Sequence, residues 1–155
     1  MSNVRPQRIT LRTMPLSYST HDTAAPEALS VVDARLDEFN LAESSISDVR
    51  RLCGFAKYED ALVVGGAVGR TWGQCCELQQ LWVHPTQRGS GAGTELMNYF
   101  EAEAVRRGCT IAYLETFSFQ APNFYFKRDY QVVHETHGFT NGIVKYAMQR
   151  KLVPV

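Results

Sequence analysis

Apolar positions along this chain follow two rhythms. From Leu29 through Val32, Leu36 and Phe39 they recur every three or four residues behind a Pro26-Glu27 start. That spacing predicts an amphipathic helix to about Leu41, with Asp33, Arg35, Asp37 and Glu38 on its wet side. The same step returns in Leu96, Met97, Phe100 and Ala104, a second helix that Gly108 closes after Arg106 and Arg107. Elsewhere the pattern alternates or runs apolar, as strands do. Arg8–Arg12 alternates around Ile9 and Leu11, and 49–58 and 61–71 read as a hairpin around Glu59-Asp60. Gln74 to His84, Cys109 to Thr116, Tyr130 to Glu135 and Ile143 to Lys151 complete the set. Gly65 and Gly66 interrupt the third strand and point to a bulge or a close backbone approach. Residues 42–48 read as a loop, and Pro122 opens a short helix over Asn123 to Arg128.

The predicted order is therefore β, α, β, β, β, α, β, α, β, β. A strand, helix, strand crossover from Gln74–His84 to Cys109–Thr116 requires a parallel pair. The expected fold class is α/β, a mixed sheet whose fourth and fifth strands are parallel and flanked by helices. At 155 residues, 1–155 suits a single domain.

Charge and cysteine content narrow the function classes. Sixteen basic residues cancel sixteen acidic ones, so no nucleic-acid or anionic-membrane partner is expected. No apolar run approaches the ~20 residues that cross a bilayer, and residues 1–7 lack the apolar core of a leader, so a cytoplasmic protein is expected. Cys75 and Cys76 are adjacent and would point to opposite faces of a strand, and Cys53 and Cys109 stand alone in apolar surroundings. Buried, reduced thiols are expected, and no metal site.

One stretch carries chemistry. After Val83, Pro85 stops a strand, three glycines follow at 89, 91 and 93, and the second helix begins. A glycine turn into a helix N-terminus presents free N–H groups to an anion, most naturally phosphate. A P-loop needs a lysine after its last glycine, and none follows Gly93. A dinucleotide fingerprint from Gly89 needs glycine at 94, where Thr94 stands, although Glu115 lies at about the distance of a ribose-binding acid. That weakens a nucleotide-binding oxidoreductase without eliminating it.

What fits fully is Arg88-x-x-Gly91-x-Gly93, which resembles the pyrophosphate motif of the GCN5-related N-acetyltransferases, the GNAT superfamily. The family's Asn-x-x-Ala-x-x-x-Tyr pattern also has a counterpart in Ser118, Ala121 and Tyr125, with Tyr130 for the later phenylalanine. Two positions depart from it: Ser118 replaces asparagine, shortening any contact to a pantetheine arm, and Asp129 replaces a turn glycine. The motifs span Gln74 to Glu135; before Gly73 the likeness rests on element order.

The resemblance implies transfer of an acetyl group from acetyl-CoA, as cosubstrate and without a metal, to an amine of a small molecule or peptide. The implied cofactor contacts are backbone of Leu81, Trp82 and Val83 for the pantetheine arm. Amides of Arg88, Gly89, Ser90, Gly91, Ala92 and Gly93 would take the diphosphate, and Ser118, Ala121 and Tyr125 the far side of the arm. A lysine-like acceptor has a pKa near ~10.4, so freeing its amine at pH 7 costs roughly 5 kcal/mol and calls for a base. Glu77, fourteen residues ahead of Gly91, sits at the offset of a catalytic glutamate in some family members. Glu115, His84 or a water chain on Gln79 are the alternatives, and a plain exposed strand glutamate is the bland one. Tyr125 matches the tyrosine that protonates the leaving thiolate. Phe39, Trp72, Trp82, Phe117, Phe119 and His137 could line an acceptor pocket or could simply be core. Relatives often pair through their last strands, which suggests a homodimer. A non-catalytic acyl-CoA-binding module on the same scaffold is the rival reading.

Overall fold

The computed structural model describes residues 15–42, 48–59 and 62–152. The predicted strand at Arg8–Arg12, most of the loop at 42–48 and residues 60 and 61 of the hairpin connection lie outside them. Two compact units divide at Glu38 and Phe39. Helix α1, Pro26–Ala42, forms over the span its three-four spacing predicts, and none of its residues is buried.

The larger unit is built on a six-stranded sheet: β1 (Arg50–Tyr58), β2 (Leu62–Trp72), β3 (Cys75–Val83), β4 (Ile111–Phe117), β5 (Gln131–Thr136) and β6 (Lys145–Lys151). Helices α2 (Ala92–Arg106) and α3 (Pro122–Phe126) join it. The strands lie in the order β1-β2-β3-β4-β6-β5, with β3 and β4 parallel and every other pair antiparallel. This is the expected mixed α/β sheet. The hairpin pairs Tyr58 with Leu62, so three residues rather than two connect its strands, and Glu59 adopts a φ of 43°.

Helix α2 packs on β1, β2 and β3 through Leu96, Met97, Phe100 and Ala104, all buried. Under it lie Leu52, Ala67, Cys76, Leu78, Ala112, Leu114 and Met148. Burying such side chains contributes about 1.5–3 kcal/mol for each large one. Cys53 corrects an expectation: it is exposed, because strand alternation turns it away from the face that buries its neighbour Leu52. Cys75 is only half-buried, Cys76 and Cys109 are buried as expected, and burial pushes the Cys76 thiol up to about 12.

Two bulges shape the centre of the sheet. Val64 is the extra residue opposite β1, next to Gly65, where an added Cβ would stand 2.9 Å from Leu96 Cδ1. The second matters more. Val68 pairs with Gln80 but Gly69 with Leu78, so Gln79 is an extra residue in β3. Before it Cys76 and Leu78 face the core; after it Leu81 and Val83 turn inward instead. The bulge is tolerated because residue 69 is glycine: a Cβ there would overlap the Glu77 carbonyl oxygen and lie 2.9 Å from Phe100 Cζ.

A buried charge cluster ties α2 to the C-terminal half. Glu101 Oε2 accepts from Arg128 Nη2 at 2.8 Å and Arg150 Nη1 at 3.1 Å, and Oε1 accepts from the Tyr130 hydroxyl at 3.0 Å. The Nε atoms of both arginines are buried without a partner among the described residues.

Candidate active site

The bulge at Gln79 determines where a ligand can enter. Parallel pairing of β3 with β4 runs only from Cys75↔Ile111 to Leu78↔Leu114. Beyond it the strands separate, and the edge of β3 from Gln79 to Val83 has no ladder partner on that side among the described residues. A cavity of about 1060 Å³ fills the opening, bounded by β3 from Leu78 to Val83, the glycine turn, Glu115 and Thr116 of β4, and Ala121 and Tyr125.

At its mouth, Gly89 and Gly91 adopt φ of 76° and 93°, left-handed values that glycine reaches without strain. Gly91 caps α2, with no side-chain hydrogen bond to the helix end. Among the described residues nothing accepts the backbone N–H groups of Gly89, Ser90, Gly91, Ala92, Gly93 or Thr94. Six free donors at the positive end of a 15-residue helix make an anion cradle. Arg88 differs from its neighbours. Its N–H donates to Pro85 O at 3.3 Å and its Nε to Val83 O at 3.0 Å, so both brace the turn.

On the opposite wall, Ala121 leads into α3 and Tyr125 presents its ring to the cavity, 8% exposed. The Tyr125 hydroxyl has no hydrogen-bond partner among the described residues, and burial pushes its pKa up to about 12. It is a neutral O–H across the physiological range. Asp129 adopts φ 63°, the left-handed turn that its place in the pattern requires. Ser118 does not line the cavity; its Oγ accepts from Val144 N at 3.1 Å and so anchors the start of β6.

Glu77 lies off the main cavity, in a neighbouring one of about 350 Å³. Its Oε2 accepts from Arg70 Nε at 2.6 Å and Gln79 Nε2 at 3.2 Å. The two cavities share Leu78, Gln79, Glu115 and Gln120. Glu115 is paired with the Lys145 ammonium. His84 is turned into its own loop, its Nδ1 accepting from Thr86 N at 3.3 Å. Of the aromatic candidates, Trp82 and Phe119 line the larger cavity and Phe117 the smaller. Trp72 lies under Arg70, with the guanidinium carbon 4.3 Å from its ring centroid. Phe39 and His137 are exposed and line neither cavity.

Three contributors escape a reading by motif. Gly69 permits the bulge, Lys145 partners Glu115 from a distant strand, and Gln120 Oε1 accepts from Thr116 Oγ1 and Phe117 N. Gly69 had a signal, a third glycine within the second hairpin strand; the others had none.

A sequence model of the Acetyltransferase (GNAT) family matches residues 17–130. An acetyltransferase of Agrobacterium fabrum is 33% identical over 125 residues, 81% of this chain and 85% of that protein. The blasticidin-S acetyltransferase of Streptomyces morookaense is 31% identical over 116 residues, 72% of this chain and 85% of that one. Among solved structures, an acetyltransferase from Agrobacterium tumefaciens matches with a TM-score of 0.80 at 28% identity, over 88% of this chain and 99% of the other.

Proposed function

The chain belongs to the acetyltransferase (GNAT) family, and from that premise we propose that it moves the acetyl group of acetyl-CoA directly onto the amine of a small molecule. The observation that carries this reading is the row of amides from Gly89 to Thr94, unpartnered among the described residues and set where β3 and β4 part. An anion cradle at one end of a long groove suits a carrier with a diphosphate followed by an extended arm. The free edge of β3 at Leu81, Trp82 and Val83 offers that arm backbone hydrogen bonds, as a third strand would. Family membership leaves no place for the oxidoreductase reading.

The residues divide the chemistry as follows. The amides of Gly89 to Thr94 hold the diphosphate, and the β3 edge aligns the arm so that the thioester lies near Tyr125. Glu77, acting through a water from the adjoining cavity, removes the proton of the acceptor ammonium; its Oε1 has no partner among the described residues. The amine nitrogen bonds to the acetyl carbon, the carbon–sulfur bond breaks, and the Tyr125 hydroxyl gives its proton to the departing thiolate. A small-molecule acceptor is favoured by the relative that acetylates blasticidin S.

The test is thiol release from acetyl-CoA with a panel of amines that includes blasticidin S, alongside calorimetry of acetyl-CoA. Binding with amine-dependent release supports the reading, and at saturating amine Glu77→Gln should then lower kcat more than Glu115→Gln. Binding without release from any amine would leave a non-catalytic acyl-CoA module; no binding would overturn the reading altogether.

A further inference from the structure

Beside the thioester groove, the smaller cavity is lined by one of the chain's own ammonium groups. Lys145, at the start of β6, donates to Glu115 of β4, and its Nζ stands 5.9 Å from the centre of the Phe117 ring. An ammonium is thus held by a carboxylate on one side and an aromatic face on the other, a pairing that favours organic cations. Glu115 borders both cavities, so a cation on it lies at their junction.

Around this point the aromatic rings form a continuous surface. Phe117 and Phe119 stack with centroids 5.4 Å apart and an interplanar angle of 15°, and Phe139 meets Phe117 edge-on at 5.3 Å. Phe119 is 65% exposed and Phe139 40%. Phe117 lines the smaller cavity and Phe119 the larger, so the stacked pair bridges the two, and an exposed apolar surface of this kind marks a place where an apolar group docks.

We propose that the smaller cavity is the acceptor site and that it selects primary amines joined by a short chain to a planar apolar ring. The incoming ammonium displaces Lys145 from Glu115, and the ring packs against Phe117, which Phe119 and Phe139 hold in place from outside the smaller cavity. A volume of about 350 Å³ admits such a molecule and is too small for a large saccharide. The lining charges of Glu77, Glu115 and Lys145 suit one cation rather than several. This rests on the acetyltransferase reading, because the cavity matters through its opening onto the thioester groove.

The experiment compares phenethylamine, n-butylamine and spermidine by thiol release and, separately, by calorimetric binding to the protein. Phenethylamine should exceed n-butylamine by roughly three- to tenfold in kcat/KM and in affinity, the worth of one aromatic pair. Phe117→Leu, which removes the ring that lines the cavity, should shrink that ratio, with Phe139→Ala, which removes the ring edge-on to Phe117, as the second and milder variant. Lys145→Met should lower the phenethylamine KM severalfold and leave acetyl-CoA affinity unchanged, because a competitor has been removed. Equal affinity for phenethylamine and n-butylamine, a preference for spermidine, or a raised phenethylamine KM in Lys145→Met would overturn the inference. Selective binding of phenethylamine without thiol release would keep the pocket assignment and sink the catalytic one.

Discussion

Replacing Gly69 with alanine tests whether the bulge in β3 depends on a missing side chain. The φ at Gly69 lies outside the left-handed region that strains other residues, so the substitution acts chiefly through space. The new methyl would overlap the Glu77 carbonyl oxygen and lie 2.9 Å from Phe100 Cζ, the tip of a buried ring. Neither neighbour is a flexible side-chain end. Relief requires β3 to move away from β2 or Phe100 to leave its place under α2. Overpacking of this kind costs typically 1–3 kcal/mol, and a backbone contact argues for the upper end, about 3. For a chain of this size, roughly 2–4 °C of melting temperature is lost per kcal/mol, so Gly69→Ala should melt about 6–12 °C lower. The control is Gly54→Ala in β1, where a Cβ meets nothing within 4 Å. It should change stability by no more than about 0.5 kcal/mol. Thermal unfolding followed by circular dichroism, without ligand, compares the two. If they melt within about 2 °C of each other, the account of the bulge, and of the cavity it opens, is wrong.

Three other outcomes follow. Tyr125→Phe keeps the ring and removes the proton donor, so turnover should fall by about 10²-fold while acetyl-CoA affinity holds; unchanged turnover would end the assignment. Glu101→Gln leaves Arg128 and Arg150 facing a neutral amide, and breaking such a buried pair costs about 3–5 kcal/mol, read as a lower urea midpoint. Stability should also decline on the alkaline side. Cys76 and Tyr125 are held protonated up to about 12 by burial, whereas the unfolded chain gives up those protons from about 8.5 and 10. Between those values the unfolded state binds fewer protons, so the free energy of unfolding falls as pH rises from about 9 towards 12. A flat urea midpoint over that window would show that neither group is buried as described.

Local patterns were readable and register was not. The Gly89–Gly93 turn, the face of α2 and the turn at Asp129 are each specified within a few residues, by glycine conformation or helical period, and the structure has them there. The Gln79 bulge depends on how β2 and β3 align, and nothing local says that Gly69 faces Glu77. The Glu101 cluster draws on Arg128, Tyr130 and Arg150, up to 49 residues away, and charges so spaced read as surface. Glu115 was visible as an acid, but its lysine partner lies 30 residues on in a strand that reaches β4 only through the sheet order. Ser118 occupies the expected stretch, yet its hydroxyl serves Val144 rather than the groove, a role that depends on where β6 returns.

The far border of the sheet is also shaped. In β5, Val132 pairs with Met148 and His134 with Ala147, leaving Val133 out of step and 55% exposed, with His134 and Glu135 beside it. An incoming strand would lose its hydrogen-bond phase at Val133 and meet ionisable groups just past it. This border thereby resists extension of its ladder past Val133, so a strand added there would find only a short run of matched hydrogen bonds.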